Sequence, residues 1–119
     1  MHEISLVRNI FRTLDDTFTP EELARIQAIH LRIGLLSNVE PLLMQSAFEA
    51  VTATDESRFQ AVRLEIEQVP VEIRCDACGQ ESPVMQYRFV CAHCGKPSRN
   101  IVRGEELLIS AVELADDSA

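Results

Sequence analysis

The sequence lacks tryptophan and has only one Tyr and five Phe among its 119 residues. Cations are also scarce, since 11 Lys and Arg stand against 19 Asp and Glu and leave a formal net charge of −8. An acidic chain binds the nucleic-acid backbone poorly, so we expect no nucleic-acid partner. No apolar run approaches the ~18 residues that a membrane-spanning helix needs, and the N-terminus has no signal-peptide pattern. These absences predict a cytoplasmic protein without membrane contact.

The apolar content of 46% is that of a folded protein, and the length favours one modest domain with a small appendage. The predicted elements are a helix over residues 4–16, a strand over 24–35, a helix opening at Pro41, a strand from Val62, and a last strand over 105–114, with a helix as the alternative there. Thr19 and Pro20 fit a helix start, but we interpret residues 17–22 as a connector.

The apolar parity switches at Pro70, which predicts either a bulge or a strand that leaves its sheet. The predicted fold is therefore α+β, with a small three-stranded sheet packed with two helices and an inserted zinc-ribbon-like module. We expect the α+β domain to comprise residues 1–70 and 104–119, and the inserted module to comprise residues 71–103.

The four cysteines form two Cys-x-x-Cys pairs, each followed by glycine. They are Cys75, Cys78, Cys91 and Cys94. Two such pairs at this separation favour tetrahedral zinc, and four thiolates leave no open position, so the metal is predicted to be structural. Four buried thiols and a dithiol redox pair are the alternatives. His93, inside the second pair, is interpreted as a solvated turn residue or as a replacement ligand in another metallation state.

The chain begins Met1-His2-Glu3. A histidine at position 2 offers three donors in adjoining chelate rings: the α-amine of Met1, the deprotonated amide of His2 and its imidazole. The amide of Glu3, or a carboxylate, would supply a fourth. A planar set of nitrogen donors suits Ni(II) or Cu(II).

These features together closely resemble the HypA/HybF family, whose members are nickel-insertion accessory proteins for nickel–iron hydrogenase. The resemblance rests on Met1-His2-Glu3, Ile33-Gly34 followed by Ser37, Glu40-Pro41 and the two cysteine pairs. It implies a nickel-binding α+β domain and a zinc domain, with Ni(II) at His2 and Glu3 close by. In some members an acidic residue at the position of Glu40 adds a ligand. The zinc ligands would be Cys75, Cys78, Cys91 and Cys94.

The resemblance also implies the function. Such a protein is a metallochaperone and catalyses no covalent reaction. It delivers nickel to the hydrogenase large-subunit precursor together with a HypB-type GTPase and, in some organisms, also serves urease. The resemblance leaves the oligomeric state undecided, and a homodimer is one possibility. Two other classes remain as alternatives: a zinc-ribbon interaction module and a thiol redox enzyme. Metal content discriminates among the three.

Overall fold

The computed structural model describes residues 3–116. The elements in chain order are α1 (Glu3–Thr17), α2 (Pro20–Ala24), β1 (Ile26–Gly34), α3 (Pro41–Ala53), a 3-10 turn (Ser57–Phe59), β2 (Arg63–Val69), β3 (Glu72–Arg74), β4 (Glu81–Pro83), β5 (Ile101–Arg103) and β6 (Leu107–Leu114). One sheet has the strand order β2-β1-β6 and the other has the order β4-β3-β5. The predicted α+β fold, with its three-stranded sheet and inserted module, is confirmed.

The chain divides into two compact units. The first comprises Met1–Leu31, Val39–Glu67 and Ile109–Ala119, and the second comprises Arg32–Asn38 and Gln68–Leu108. The predicted insert, residues 71–103, lies inside the second unit, which extends beyond it at both ends and also takes in residues 32–38. The assignment of nickel to one domain and zinc to the other stays a prediction.

The core of the first unit is formed by the buried faces of α1 and α3 together with buried side chains of β1 and β2. On α1, the buried side chains are Val7, Ile10, Phe11 and Leu14, which recur at the spacing expected of an amphipathic helix. Phe11 stacks on Phe59 with ring centroids 4.9 Å apart and contacts Phe48 at 5.7 Å. Sequence reasoning missed Phe59, because the segment around it is polar and carries no period.

The interpretation of residues 17–22 as a connector is wrong, because a short helix, α2, begins at Pro20. Its start is a capping box. The hydroxyl of Thr19 accepts a hydrogen bond from the N–H of Glu22 at 3.2 Å, and the Glu22 carboxylate accepts one from the N–H of Thr19 at 2.9 Å. That N–H also holds the pKa of Glu22 below its usual range. A helix of five residues is too short to show an apolar period.

The strand break predicted at Pro70 is present, and its form is a strand that leaves its sheet. Strand β2 ends at Val69 in the first sheet, and β3 begins at Glu72 in the second. Proline suits this position, because it donates no backbone hydrogen bond and so ends the ladder.

Two glycines lie in close contact where the chain returns to the first sheet. A Cβ on Gly34 would lie 2.1 Å from the carbonyl carbon of Gly104. A Cβ on Gly104 would lie 2.7 Å from the Cα of Val71, and its φ of +115° is one that side chains rarely adopt. The N–H of Gly34 donates to the carbonyl of Glu106 at 2.7 Å, and the N–H of Leu36 donates to that of Gly104 at 2.8 Å. Only glycine fits at either position.

None of the helices in residues 3–116 is both long enough and apolar enough to cross a membrane.

We predict that Gly34→Ala destabilises the fold by about 3 kcal/mol, because the new methyl group meets backbone that cannot move away. Thermal unfolding followed by circular dichroism measures the change, and we expect a fall of about 10 °C or more. Gly79→Ala is the matched control, since a Cβ there meets no atom within 4 Å and only its φ of +76° is unfavourable. The control should cost about 1 kcal/mol. Equal melting temperatures for the two variants would contradict the close contact.

Candidate metal centre

The structure brings the four cysteines together. Their sulfur atoms all lie within 4.8 Å of one another, with Cys75 and Cys94 3.5 Å apart and Cys78 and Cys91 3.6 Å apart. Zn–S bonds of about 2.3 Å in a tetrahedron place the sulfurs about 3.8 Å apart, so the cluster fits a zinc ion. Within residues 3–116, no other group of three or more His, Cys, Asp and Glu side chains is placed in this way.

The two cysteine pairs have the same backbone hydrogen bonds. The N–H of Gly79 donates to the carbonyl of Cys75 at 2.8 Å, and the N–H of Gly95 donates to that of Cys91 at 2.9 Å. The N–H groups of Cys75 and Cys91 in turn donate to the carbonyls five residues ahead, both at 2.9 Å. Both glycines have positive φ, at 76° and 79°, with open space around them. Glycine is therefore needed here for its backbone conformation.

Two buried serines hold the cysteine loops to the small sheet. The hydroxyl of Ser82 accepts from the N–H of Ala92 at 3.2 Å, and the hydroxyl of Ser98 donates to the carbonyl of Arg74 at 2.8 Å. Both serines are at most 4% exposed. Sequence reasoning missed both, because a single serine in a polar segment carries no local signal.

Backbone donors separate the four thiols into two kinds. The N–H of Cys94 lowers the pKa of Cys91 to about 6, and the N–H of Cys78 lowers the pKa of Cys75. At Cys78 the N–H of Gln80 acts in the same direction, but burial and the thiol of Cys91 outweigh it and raise the pKa to about 11. The pKa of Cys94 is also raised. The thiols of Cys75 and Cys91 thus lose their protons more readily than the other two, and binding of all four sulfurs as thiolates would release the protons that they still carry.

Glu81 connects the cysteine module to two arginines. Its carboxylate accepts from Arg74 at 2.7 Å and from Arg103, which also binds Glu72. These partners hold the pKa of Glu81 below its usual range. The Nε2 atom of His93 lies 3.3 Å from the carbonyl oxygen of Glu81, so in this structure His93 contacts backbone and is not one of the clustered ligands.

The predicted nickel ligands lie elsewhere in the chain. Met1 and His2 lie outside the described residues, and Glu3 is the first residue of α1. Glu40 is the N-cap of α3, and its carboxylate accepts a long hydrogen bond, 3.5 Å, from the N–H of Leu42. A carboxylate at a helix N-terminus is stabilised by the helix dipole, so capping alone accounts for a Glu at this position.

Glu3 and Glu40 belong to helices that run in the same direction. Near the C-terminal end of α1, Asp15 forms a 2.9 Å ion pair with Arg58, which follows the C-terminal end of α3. Phe11 packs against Phe48 in the middle of the two helices. Each Phe comes eight residues, about 12 Å of helix, after its acidic residue. Both carboxylates therefore lie at the same end of the helix pair.

Known proteins share this fold and this sequence pattern. A family model described as "Hydrogenase/urease nickel incorporation, metallochaperone, hypA" matches residues 1–114. The hydrogenase maturation factor HypA of Roseiflexus sp. is 33% identical over 119 residues, which cover 99% of this chain and 95% of that protein. The factor of the same name from Nitrosospira multiformis is 34% identical over 114 residues, or 96% and 97% of the two chains.

Two solved structures have a fold similar to that of this chain. The solution structure of a HypA protein has a TM-score of 0.67 at 25% identity and covers 97% of both chains. The solution structure of the Ni metallochaperone HypA from Helicobacter pylori has a TM-score of 0.64 at 25% identity, covering 96% of this chain and 97% of that one.

An α+β unit with an inserted module of four clustered cysteines defines a protein with a candidate metal site. The chain belongs to the HypA family, the metallochaperones of hydrogenase and urease nickel incorporation, and it is not an enzyme. The resemblance inferred from the sequence is confirmed.

We predict that Cys78→Ser loses the metal of the four-cysteine cluster and unfolds residues 71–103, because this module buries few apolar side chains that could replace the metal. Metal analysis of the purified protein and limited proteolysis measure the two effects. His93→Ala, in the other cysteine loop, is the control and should keep its metal, since His93 contacts only backbone. Full zinc content in Cys78→Ser would contradict the prediction, as would unfolding of the whole chain.

Proposed function

We propose that this chain binds Ni(II) at its N-terminus and delivers it to the large-subunit precursor of nickel–iron hydrogenase, or to urease. The observation that carries the proposal is the family match, which spans residues 1–114 and so includes Met1-His2-Glu3. Nickel is the cargo in this scheme, and zinc in the four-cysteine cluster is a resident structural ion.

The chemistry of the N-terminus supports the nickel site. The α-amine of Met1 and the amide and imidazole nitrogens of His2 form adjoining chelate rings, which suit the square-planar preference of Ni(II). The carboxylate of Glu3 comes next in the chain. Glu40 begins a helix at the same end of the unit and is the further candidate ligand.

The four-cysteine cluster supports a different role for zinc. Four thiolates complete a tetrahedron and leave no position for a substrate or for a transferred ion. The sulfurs of Cys75 and Cys91 are buried, and the three strands of the surrounding sheet have only three residues each. We therefore assign nickel to residues 1–70 and 104–119 and zinc to residues 71–103.

The partners follow from this role. A HypB-type GTPase and the hydrogenase large-subunit precursor are the proteins with which a nickel carrier of this family would act. We also include a homodimer in the proposal. Four cysteines that form a metal site need a reducing compartment, which supports a cytoplasmic location.

We expect His2→Ala to lose specific Ni(II) binding while keeping both the fold and the zinc. The substitution removes the imidazole ligand from a position before α1, where it should cost the core little. Isothermal titration of untagged protein with Ni(II), with zinc assayed in the same samples, measures the effect. His30→Ala is the control, because His30 lies on β1 and pairs with Glu113 at 2.5 Å. An unchanged nickel stoichiometry in His2→Ala would refute the assignment.

A residue added before Met1 should be nearly as damaging as His2→Ala. The proposed site uses the free α-amine of Met1, and an extension converts that amine into an amide that no longer ligates in the same way. The same titration compares chains extended at the N-terminus and at the C-terminus, so that length is matched. Equal nickel affinity in the two extended chains would show that the α-amine is not a ligand.

A further inference from the structure

The two cysteine pairs belong to two copies of one longer pattern. The run Cys-x-x-Cys-Gly-x-x-Ser occurs twice, once from Cys75 to Ser82 and once from Cys91 to Ser98. We call these copies the first and the second cysteine loop. The serine that ends each loop is buried, with 2% and 4% of its surface exposed. A buried hydroxyl at the same position of both loops indicates that the two serines share a role.

Each serine ends one cysteine loop and forms a hydrogen bond to the backbone at the other. The hydroxyl of Ser82, in the first loop, accepts from the N–H of Ala92, inside the second loop, at 3.2 Å. The hydroxyl of Ser98, in the second loop, donates to the carbonyl of Arg74, just before the first loop, at 2.8 Å. It also accepts from the N–H of Asn100 at 3.3 Å. The loops are therefore joined in both directions, and we name the Ser82 and Ser98 hydrogen bonds the serine brace.

Two of the four thiols are open to solvent. Cys78 and Cys94 are exposed, whereas Cys75 and Cys91 are buried. Raw affinity does not by itself favour Zn(II) over Ni(II) at a given site, so proteins select between such metals largely by geometry. This chain belongs to a family of nickel metallochaperones. It therefore needs a feature that keeps nickel out of the exposed cysteine cluster.

The four sulfur atoms do not lie at the corners of a flat square. Cys75 and Cys94 are 3.5 Å apart, and no sulfur–sulfur distance in the cluster exceeds 4.8 Å. A flat square with edges of about 3.5 Å has diagonals of about 5 Å, and planar sites are those that suit Ni(II). Because each loop supplies two sulfurs, a planar arrangement requires one loop to turn against the other. The serine brace joins the loops in both directions and opposes that turn.

We propose that Ser82 and Ser98 are positioning residues that determine which metal the four cysteines hold. Their hydroxyls fix one loop against the other through the N–H of Ala92 and the carbonyl of Arg74. The sulfurs are thereby kept in a tetrahedral arrangement, which retains zinc and excludes nickel. The inference rests on the zinc assigned to this cluster in the proposed function, and it does not depend on the nickel site at His2.

Metal exchange in the zinc-loaded chain tests the proposal. Every chain compared carries His2→Ala, so that the proposed cargo site is absent from parent and variants alike. After incubation with excess Ni(II) and desalting, elemental analysis gives the zinc and nickel content, and sulfur-to-nickel charge-transfer absorption shows nickel on the thiolates. Ser82→Ala combined with Ser98→Ala should exchange zinc for nickel about tenfold faster or more, since supporting hydrogen bonds around a metal site typically change its affinity by about 10–100-fold.

Two further sets of variants control this experiment. Ser110→Ala removes an exposed hydroxyl that bonds to the carbonyl of His30 in the other unit, so it should exchange metal at the rate of the parent. Each single variant, Ser82→Ala or Ser98→Ala, keeps one half of the serine brace and should exchange at an intermediate rate. The single variants decide the question if the double variant does not fold.

Amide hydrogen exchange of the zinc-loaded single variants tests whether each serine acts on the opposite loop. Ser82→Ala should speed exchange at Ala92, and Ser98→Ala should speed it at Arg74, each by about tenfold, because the loss of a buried partner removes a hydrogen bond worth about that factor. Faster exchange confined to the loop that carries the substituted serine would contradict the crossed arrangement.

Three outcomes would overturn the proposal. The first is a set of serine variants that keep zinc against nickel as firmly as the parent does. The second is a variant that loses zinc, to nickel solution or to the chelator EDTA, without gaining the nickel–thiolate absorption, which would give the serine brace a merely structural role. The third is a parent chain that contains no zinc after purification, which would refute the zinc assignment as well. Only the third outcome bears on the proposed function.

Discussion

The contact between Gly34 and Gly104 is the constraint on which the rest of the second unit depends. The last residue of β1 and the residue after β5 approach so closely that neither can carry a side chain. Val71, just after the chain leaves the first sheet, closes the same contact from the other side. The outgoing and returning segments of the cysteine module are therefore held together by backbone, at a point where almost any substitution adds atoms without space for them.

Beyond this contact the module has few apolar side chains of its own. Its strands are three residues long, and Ile73 is the one fully buried aliphatic residue between Glu72 and Ile101. Strands this short do not form a stable sheet alone. The buried sulfurs of Cys75 and Cys91 occupy the place that a hydrophobic core would fill in a larger domain. The metal site, the two serine hydrogen bonds and the Glu81 ion pairs together substitute for that core.

Local sequence patterns predicted much of this structure, but they did not predict the contacts between residues far apart in the sequence. The apolar period fixed the positions of α1 and α3, and the parity switch at Pro70 marked the crossing between sheets. The spacing of the cysteines predicted their cluster, because the geometry of such a site is set within each short loop. By contrast, Gly34 and Gly104 are 70 positions apart in the sequence, and no local pattern near either glycine predicts that the two are in contact. Phe59 was not predicted to be buried, because the segment around it is polar and its partner Phe11 lies in another element.

The closeness of Val71 and Gly104 also has a consequence for chain entropy. A segment whose two ends already touch forms a closed loop, and the cost of closing such a loop rises only with the logarithm of its length. Each doubling costs about 0.6 kcal/mol. The entropic cost of closing the α+β strands thus changes little with the length of a flexible inserted segment. The module can change in length and in surface over evolution while the strands that carry it remain undisturbed.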